Sequence, residues 1–241
     1  MSTYFNNLNH LRPKSTVVAT VSSPLDLSLL EKVTSEEHAP SHLEFRLDLL
    51  QGSGCLAEAD KFLRHRGFRQ DVLLTARRPD EGGSGNLDAR ARQDLLLGRL
   101  DEARLVDVEI QSLETESWDS FREAIDASTI PPTLVGSYHD FESTPCEEEL
   151  RDVIERGIEA EVDVVKIATR LHTKDDILLL ESLLNKPPIP LSVMGMGDMG
   201  KASRLILALA GSVLNYGYSG EENAPGQWQA NELAETLADV G

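Results

Sequence analysis

A lysine stands inside an apolar, β-branched segment of the chain. The segment from Val162 to Ala168 is followed by a polar run, which is typical of a short buried strand. Burying an ammonium group costs several kcal/mol unless it is paired, so we expect burial to favour a neutral amine at Lys166. A neutral amine attacks a carbonyl carbon and forms a Schiff base. Considered alone, Lys166 is more typical of a strand-end lysine that extends into water, and its neighbours in the other strands change that interpretation.

Polar side chains recur at alternate positions in the other strand-like segments. In the segment from His42 to Asp48, Glu44, Arg46 and Asp48 share one face, because successive side chains of a strand point to opposite sides. Later segments carry similar pairs at their C-terminal ends: Thr75 and Arg77, Asp107 and Glu109, Ser137 and His139, Val164 and Lys166, and Met194 and Met196. One such pair is commonly a buried salt bridge, but the convergence of all of them predicts an active site.

The residue types suggest roles in that site. His139 is the only histidine at a predicted strand end and is the candidate general acid and base. Glu81 lies in a glycine-flanked loop, where it either orients the His139 imidazole or is a solvated acid. Arg46, Arg77 and Arg204 would supply positive charge for an anionic substrate, although Arg204 is also typical of a helix surface.

Eight strand-like segments position these residues. They begin near residues 16, 43, 71, 104, 133, 162, 189 and 211, and each is followed by a helical pattern. Such even spacing predicts a (β/α)8 TIM barrel, an α/β fold whose sites lie at the C-terminal ends of the strands. A doubly wound open sheet is the alternative. We expect a single domain over residues 1–241, with residues 1–15 as a loose N-terminal arm.

Composition narrows the possible partners. With 23 basic and 41 acidic residues, the formal net charge of −18 disfavours nucleic acid and anionic membranes as partners. No apolar run approaches the roughly 20 residues of a membrane span, and the N-terminus lacks the apolar core of a signal peptide. Cys55 and Cys146 show no metal-ligand spacing. We therefore expect a cytoplasmic protein with no structural metal and no disulfide framework.

A glycine-rich segment imitates a dinucleotide-binding motif. Residues Gly195 to Gly200 match the pattern G-x-G-x-x-G, but that motif belongs to the first βαβ unit of a dinucleotide fold, with an acid ending the next strand. Here the next strand ends in Tyr216-Gly217-Tyr218. We interpret the segment as a tight loop that lets the backbone approach a ligand, and we expect no nicotinamide cofactor.

Six stretches of the chain carry a more specific pattern. They are Glu44 to Asp48; Thr75 to Gly83; Ser137 to Phe141 with Thr144-Pro145; Val165 to Ile167; Met194 to Met196 with Ser203-Arg204; and Ala224 to Gln227. Their order, with His139 27 residues before Lys166, resembles the type I 3-dehydroquinate dehydratase (3-dehydroquinase) family.

The resemblance implies a reaction. A (β/α)8 barrel of this kind removes water from 3-dehydroquinate by syn elimination to give 3-dehydroshikimate, the third step of the shikimate pathway that leads to the aromatic amino acids, with no metal or other cofactor. By this resemblance Lys166 would form an imine with the ketone, His139 would transfer protons, and Glu81 would orient His139.

The same resemblance implies the substrate contacts and the assembly. The implied contacts are Glu44, Arg46 and Arg77 with the ring hydroxyls, Arg204 and Gln227 with the carboxylate, and Met194 and Met196 on the pocket wall. The loop from Asn223 to Gln227 would close over the substrate, and the family is usually homodimeric. Two positions depart from the pattern, since Asn223 replaces a serine and Tyr216 replaces a phenylalanine.

Two other functions fit part of the pattern. A class I aldolase shares the buried lysine but cleaves a carbon–carbon bond, and the set of His139, Glu81 and Arg204 argues against it. A ligand-binding barrel without catalysis would have no use for a desolvated amine beside a histidine.

Overall fold

Parallel strands alternate with helices along the whole described chain. The computed structural model describes residues 11, 16–65, 67–85, 87–115, 118–222 and 226–240. The strands are β1 (Val17–Val21), β2 (His42–Arg46), β3 (Asp71–Thr75), β4 (Leu105–Glu109), β5 (Thr133–Asp140), β6 (Val164–Arg170), β7 (Leu191–Met196), β8 (Asn215–Tyr218) and β9 (Trp228–Gln229).

One or two helices follow each of the first eight strands. They are α1 (Pro24–Ser35), α2 (Leu47–Gly52), α3 (Leu56–His65), α4 (Ala89–Leu97), α5 (Ile110–Leu113), α6 (Asp119–Ala127), α7 (Glu147–Glu159), α8 (Lys174–Leu183), α9 (Gly200–Ala210) and α10 (Ala230–Val240). Within the described ranges, no helix combines the length and apolar character needed to cross a membrane.

The strand order confirms the predicted (β/α)8 barrel. The sheet runs β7-β6-β5-β4-β3-β2-β1-β8-β9, and every neighbouring pair is parallel. β1 pairs with both β2 and β8, so the first and last units of the chain are neighbours in the sheet. Hydrogen bonds bring β7 to the segment leading into β8: Val213 N–H donates to the Leu191 carbonyl at 2.9 Å and Ser192 Oγ donates to the Leu214 carbonyl at 2.8 Å.

The interior of the barrel changes from apolar to polar along the strands. Its apolar part, the interior cluster, includes one residue from each of several strands: Val18, Leu73, Leu105, Val135 and Val164. Since strand side chains alternate, the residues two positions further along point inward as well, and these are polar: Thr20, Thr75, Asp107, Ser137 and Lys166. These five apolar residues form an apolar layer across the barrel. The five polar residues form a polar layer next to it, on the side of the C-terminal ends of the strands.

Several predicted boundaries were wrong by a few residues. β2 ends at Arg46 and β3 at Thr75, so Asp48 and Arg77 follow their strands instead of lying in them. Asp48 belongs to α2, a six-residue helix that hydrophobic periodicity cannot reveal because it is less than two turns long. Of the predicted N-terminal arm, residues 1–10 and 12–15 lie outside the described residues, while Leu11 is buried in the interior cluster.

Long-range hydrogen bonds tie the first unit of the barrel to the last. Asn215 Nδ2 donates to the Thr16 carbonyl at 3.2 Å, and Asn231 Nδ2 donates to the Val33 carbonyl at 3.0 Å. The fully buried Asp26 caps α1 with one carboxylate oxygen, and its other oxygen accepts the Gly220 N–H at 2.8 Å. We call these contacts, with the β1–β8 pairing, the seam.

Candidate active site

Lys166 lies in the polar layer among groups from three other strands. Its Nζ donates to Asp107 Oδ2 at 2.9 Å and lies 3.9 Å from Glu44 Oε1. The same nitrogen is 4.1 Å from the centre of the Tyr216 ring, in a cation–π position. Only 4% of the residue is exposed. The amine is therefore buried between two carboxylates and the face of an aromatic ring.

Asp107 joins Lys166 to a buried arginine. Arg77 Nη2 lies 3.0 Å from Asp107 Oδ1, and Ser137 Oγ donates to that oxygen at 2.6 Å. Burial acts to raise the pKa of Asp107, but the charges of Arg77 and Lys166 hold it well below its usual range. Asp107 is therefore an anion that holds the lysine and accepts protons poorly.

Glu109 extends this network to helix α4. It accepts from Arg77 Nη1 at 3.1 Å and from Arg92 Nη1 at 2.7 Å, and all three side chains are buried. The Arg92 guanidinium lies over the Trp118 ring, 5.3 Å from its centre. The ion pairs thus run in an unbroken chain from Lys166 to the outer helices, which fixes the lysine at one position.

Two threonines hold Glu44 beside Lys166. Thr20 Oγ1 donates to Glu44 Oε2 at 3.0 Å and Thr75 Oγ1 donates to Glu44 Oε1 at 2.8 Å. Both hydroxyls come from neighbouring strands, because β2 lies between β1 and β3. The buried carboxylate therefore has a fixed orientation toward the barrel centre.

Arg46 is paired inside the protein. Its guanidinium makes two hydrogen bonds to Asp48, of 3.0 and 2.9 Å, and a third to the Gly82 carbonyl at 3.1 Å. Asp48 also accepts the backbone N–H groups of Arg77 and Ser84, at 3.3 and 3.1 Å. The pair therefore fastens the loop that carries Glu81.

Glu81 and His139 form the second polar centre. Glu81 Oε2 lies 2.9 Å from His139 Nδ1 and also accepts the His139 backbone N–H at 3.0 Å. Glu81 ends a 3-10 turn, and Gly82, at φ 84°, then reverses the chain in a conformation that favours glycine. The predicted contact between Glu81 and the imidazole is thus present in the geometry.

Burial governs the charge of this pair. It raises the pKa of Glu81 to about 8, partly opposed by the charge of Arg77. It lowers the pKa of His139 well below 6.5, and the charges of Arg77 and Lys166 lower it further. At neutral pH the imidazole is neutral, and in the tautomer whose Nδ1 donates to Glu81 its Nε2 can accept a proton.

The β7–β8 side of the barrel leaves polar atoms without partners. Arg204 Nη1 donates to the Tyr216 carbonyl at 3.0 Å and lies 3.6 Å from the Met194 sulfur. Among the described residues, the Nε of Arg204 and the hydroxyl of Tyr216 are buried and have no hydrogen-bond partner. Burial lowers the pKa of Arg204 to about 10. Met194 and Met196 are buried in the interior cluster beside these groups.

The loop after β8 brings Gln227 next to this side. Gln227 is buried, and its backbone N–H donates to Glu222 Oε1 at 2.9 Å. Asn223, predicted to close over the substrate, lies outside the described residues. The glycine motif serves this loop: a Cβ on Gly200 would come too close to the backbone of Gly226. Gly200 thus admits another part of the chain, and the approach of this loop to a ligand stays a prediction.

The structure therefore gathers most of the predicted residues into one site and adds several. Lys166, Glu44 and Tyr216 meet at the barrel axis, with His139 one strand away. The sequence interpretation named Asp107 and Glu109 among the inward-facing pairs but gave them no role, and it left out Thr20 and Arg92. Asp107 and Glu109 alternate on β4 and were recognisable as inward-facing, whereas Arg92 lies on a helix where nothing in the sequence separates a buried arginine from an exposed one. In the described part of the chain, no three His, Cys, Asp or Glu side chains are arranged to hold a metal ion.

Comparisons with known proteins agree with this geometry. The family model for type I 3-dehydroquinase matches residues 17–241. A curated 3-dehydroquinate dehydratase of Methanocaldococcus jannaschii is 32% identical over 80% of this chain and 84% of its own length. One of Methanothrix thermoacetophila is 31% identical over 98% of this chain and 96% of its own.

A solved structure extends the likeness to the fold. The crystal structure of 3-dehydroquinate dehydratase from Geobacillus kaustophilus superposes with a TM-score of 0.79 and 26% identity, covering 94% of this chain and 91% of the other. With the match of the family model over nearly the whole length, this places the chain firmly: it belongs to the type I 3-dehydroquinase family.

Proposed function

We propose that this enzyme removes water from 3-dehydroquinate to give 3-dehydroshikimate through a Schiff base on Lys166. The observation that carries the proposal is the placement of two reactive centres on adjacent strands. Lys166 pairs in register with Ser137, two residues before His139 on the same face of β5. An amine that forms an imine and a histidine that moves a proton would thus face one bound ring.

The imine supplies the electron sink. When Lys166 Nζ replaces the ketone oxygen, the iminium draws electrons from the neighbouring carbon and acidifies its C–H bond. Asp107 and Glu44 lie beside Nζ at 2.9 and 3.9 Å, so their negative charges stabilise the iminium as they stabilise the ammonium. These two carboxylates would hold the nitrogen in place through the reaction.

His139 carries out the proton transfers. Its neutral imidazole takes the proton from the carbon next to the iminium and returns a proton to the departing hydroxyl, while Glu81 holds Nδ1. General acid–base catalysis of this kind contributes about 10²–10⁴-fold. One histidine serving both transfers requires the proton and hydroxyl to leave from the same face of the ring, which is a syn elimination.

The unpaired side of the barrel would bind the substrate's carboxylate. Arg204 is buried and, among the described residues, makes no ion pair, although the charge of Glu222 acts on it; an anion there would satisfy its free Nε. Gln227, and Asn223 on the loop before it, would close over that group. Met194, Met196 and the Tyr216 ring would pack against the ring carbons, and Glu44, Arg46 and Arg77 would hold the ring hydroxyls.

The alternatives predict different products. A class I aldolase would use the same buried amine but would release two carbon fragments, whereas the Glu81–His139 pair suits removal of a proton and a hydroxyl from one molecule. A ligand-binding barrel would return its ligand unchanged. Analysis of the product by mass spectrometry separates the three functions.

We propose the cellular setting and the assembly on the resemblance alone. The reaction is the third step of the shikimate pathway, and we place it in the cytoplasm with two copies of the chain per assembly. Sedimentation equilibrium tests the dimer, and a monomer at micromolar concentration would refute it.

Chemical trapping tests the proposed function. The protein is incubated with 3-dehydroquinate, reduced with borohydride and weighed intact, and the adduct is mapped to a residue. We expect one reduced adduct on Lys166 and loss of activity. Lys201→Ala, which removes an exposed lysine of α9, should still form it. Release of 3-dehydroshikimate by a protein that never forms the adduct would refute the Schiff base but not the reaction.

A further inference from the structure

The hydroxyl of Tyr216 is a buried polar atom that the fold does not use. Tyr216 is 3% exposed, and its hydroxyl has no hydrogen-bond partner among the described residues. Leaving a buried hydroxyl unpaired costs stability, and a phenylalanine here would avoid that cost. A tyrosine at this position is explained if a bound ligand supplies the hydrogen-bond partner of its hydroxyl.

The position of the ring identifies what that partner is. Lys166 Nζ lies over the ring at 4.1 Å from its centre. The hydroxyl lies at the edge of this same ring, so an oxygen on the carbon that Nζ attacks would lie beside the ring that carries it. In the proposed function, the atom bonded to that carbon is the ketone oxygen of the substrate.

We propose that the Tyr216 hydroxyl donates a hydrogen bond to the oxygen that Lys166 displaces, which makes Tyr216 a further catalytic residue for imine formation. This inference rests on the proposed function. Burial, together with the negative charges of Glu44 and Asp107, raises the pKa of Tyr216 well above 10. The group therefore stays protonated at neutral pH and remains available as a donor.

The step balances without any further reactant. Nζ passes one of its three protons to the carbonyl oxygen, and the lone pair so freed forms the Nζ–carbon bond as the carbonyl π electrons move to that oxygen. The carbon–oxygen bond then breaks as the oxygen takes a second proton from Nζ and leaves. Two of the three ammonium protons depart with the oxygen as water, and the third remains on the iminium nitrogen. Tyr216 stabilises the charge that develops on the oxygen and keeps its own proton at the end. When water later attacks the product imine, the same hydroxyl holds that water by microscopic reversibility.

Tyr216→Phe removes this hydrogen bond and keeps the ring. We expect imine formation to slow by roughly 10- to 100-fold, the value of one hydrogen bond to a developing charge. The measurement is a rapid-mixing time course in which protein and 3-dehydroquinate are quenched with borohydride and the adduct on Lys166 is weighed. The matched control is Tyr138→Phe. Tyr138 lies on the outer face of β5 and packs against the apolar core between the strands and the helices. The control should therefore form the adduct at the rate of the wild type.

A second readout separates chemistry from packing. We expect Tyr216→Phe to raise the melting temperature of the substrate-free protein by a few degrees, because an unpaired buried hydroxyl is removed. A variant that is more stable yet slower to form the imine supports the proposal. A lowered melting temperature would mean that the hydroxyl has a partner in the folded protein and would overturn it.

The remaining outcomes also decide the question. If the wild type forms an adduct and Tyr216→Phe forms it at the same rate, Tyr216 is a wall of the pocket and the inference fails while the proposed function stands. If only KM rises, with imine formation unchanged at saturating substrate, the hydroxyl binds another part of the substrate and the inference is again refuted. If the wild type forms no adduct at all, the proposed function itself fails.

Discussion

The two sides of the barrel interior treat their polar groups differently. On the side built by β2 to β6, the charged groups are paired: Asp107 with Lys166 and Arg77, and Glu109 with Arg77 and Arg92. On the side of β7 and β8, Arg204 has no carboxylate partner among the described residues, and its Nε and the Tyr216 hydroxyl are unpaired.

The two sides differ in how their polar groups would respond to a bound substrate. Paired groups are already oriented, so they reorganise little when charge changes on Lys166. Unpaired groups carry a cost in the free protein that a ligand removes, so they reward binding. We therefore expect substitutions on the paired side to lower stability as well as activity, and those on the unpaired side to weaken catalysis or substrate binding without lowering the stability of the substrate-free protein.

The largest effect is expected from Lys166→Ala. Without an amine no imine forms, so turnover should fall by several orders of magnitude while circular dichroism still reports the folded barrel. The assay follows the absorbance of 3-dehydroshikimate. Activity near that of the wild type would exclude imine catalysis, and the ion pairs around Lys166 would then have a structural role alone.

Arg77→Met tests how much the ion pairs of the paired side contribute to the stability of the fold. It leaves Asp107 and Glu109 buried with fewer cations, and breaking a buried ion pair in this way costs about 3–5 kcal/mol. Urea denaturation without substrate should report a loss of that size in the free energy of unfolding. The exposed pair of Arg151 and Glu147 on α7 is the control, since Arg151→Met should cost about 1 kcal/mol at most.

Arg204→Met is the matching change on the unpaired side. It removes a buried guanidinium that lacks a carboxylate partner in the described chain, so the unfolding free energy without substrate should not fall. Substrate affinity should fall by about 1.5–3 kcal/mol, the value of a hydrogen bond to a charged group, measured as KM and by calorimetry with the Lys166→Ala protein. A loss of stability like that of Arg77→Met would abolish the contrast between the sides.

Glu81→Gln is expected to have the smallest effect, on pH dependence. The pKa of Glu81 is raised from 4.5 to about 8 in the folded protein. Between these pH values the folded state keeps a proton that the unfolded state releases, so this residue makes the unfolding free energy fall as pH rises. His139, whose pKa is lowered, contributes the opposite slope below 6.5.

Urea titrations from pH 4.5 to 8 measure this contribution as the difference between the variant and the wild type. We expect Glu81→Gln to lose the downward slope and roughly tenfold in activity, a part of what general acid–base catalysis supplies. Glu148→Gln, at an exposed position of α7, should leave both unchanged. An unaltered slope in Glu81→Gln would mean that Glu81 is ionised throughout this range.

The sequence was sufficient to predict the barrel because its signal is periodic. Strand segments recur at nearly even intervals. The alternation of side chains in β2, β4 and β6 is enough to predict that Glu44, Asp107 and Lys166 lie on the inner face. The contact between Glu81 and His139 was likewise expected. Strand ends were less predictable, because a polar residue such as Asp48 can either finish a strand or begin a short helix.

The pairing of the site could not be predicted. Which carboxylate holds Lys166 depends on the stagger between strands, and periodicity gives no register. The internal partners of Arg46 and Arg77, which are Asp48 for the first and Asp107 with Glu109 for the second, could not be named from the sequence either, and the contacts of both arginines with the substrate stay a prediction. The unpaired state of Arg204 and Tyr216 depends on what surrounds them in space, which a list of residue types does not contain.

The seam has a consequence for the order in which the barrel is completed. Its side-chain hydrogen bonds join residues 194, 198 and 199 positions apart, whereas β1 and β2 pair residues only 24 positions apart, as Val18 does with His42. Contacts so distant in sequence form late, because the intervening chain must be ordered first. During synthesis β1 therefore keeps one open edge until β8 has left the ribosome, and a chain cut short before residue 215 would expose that edge to other proteins.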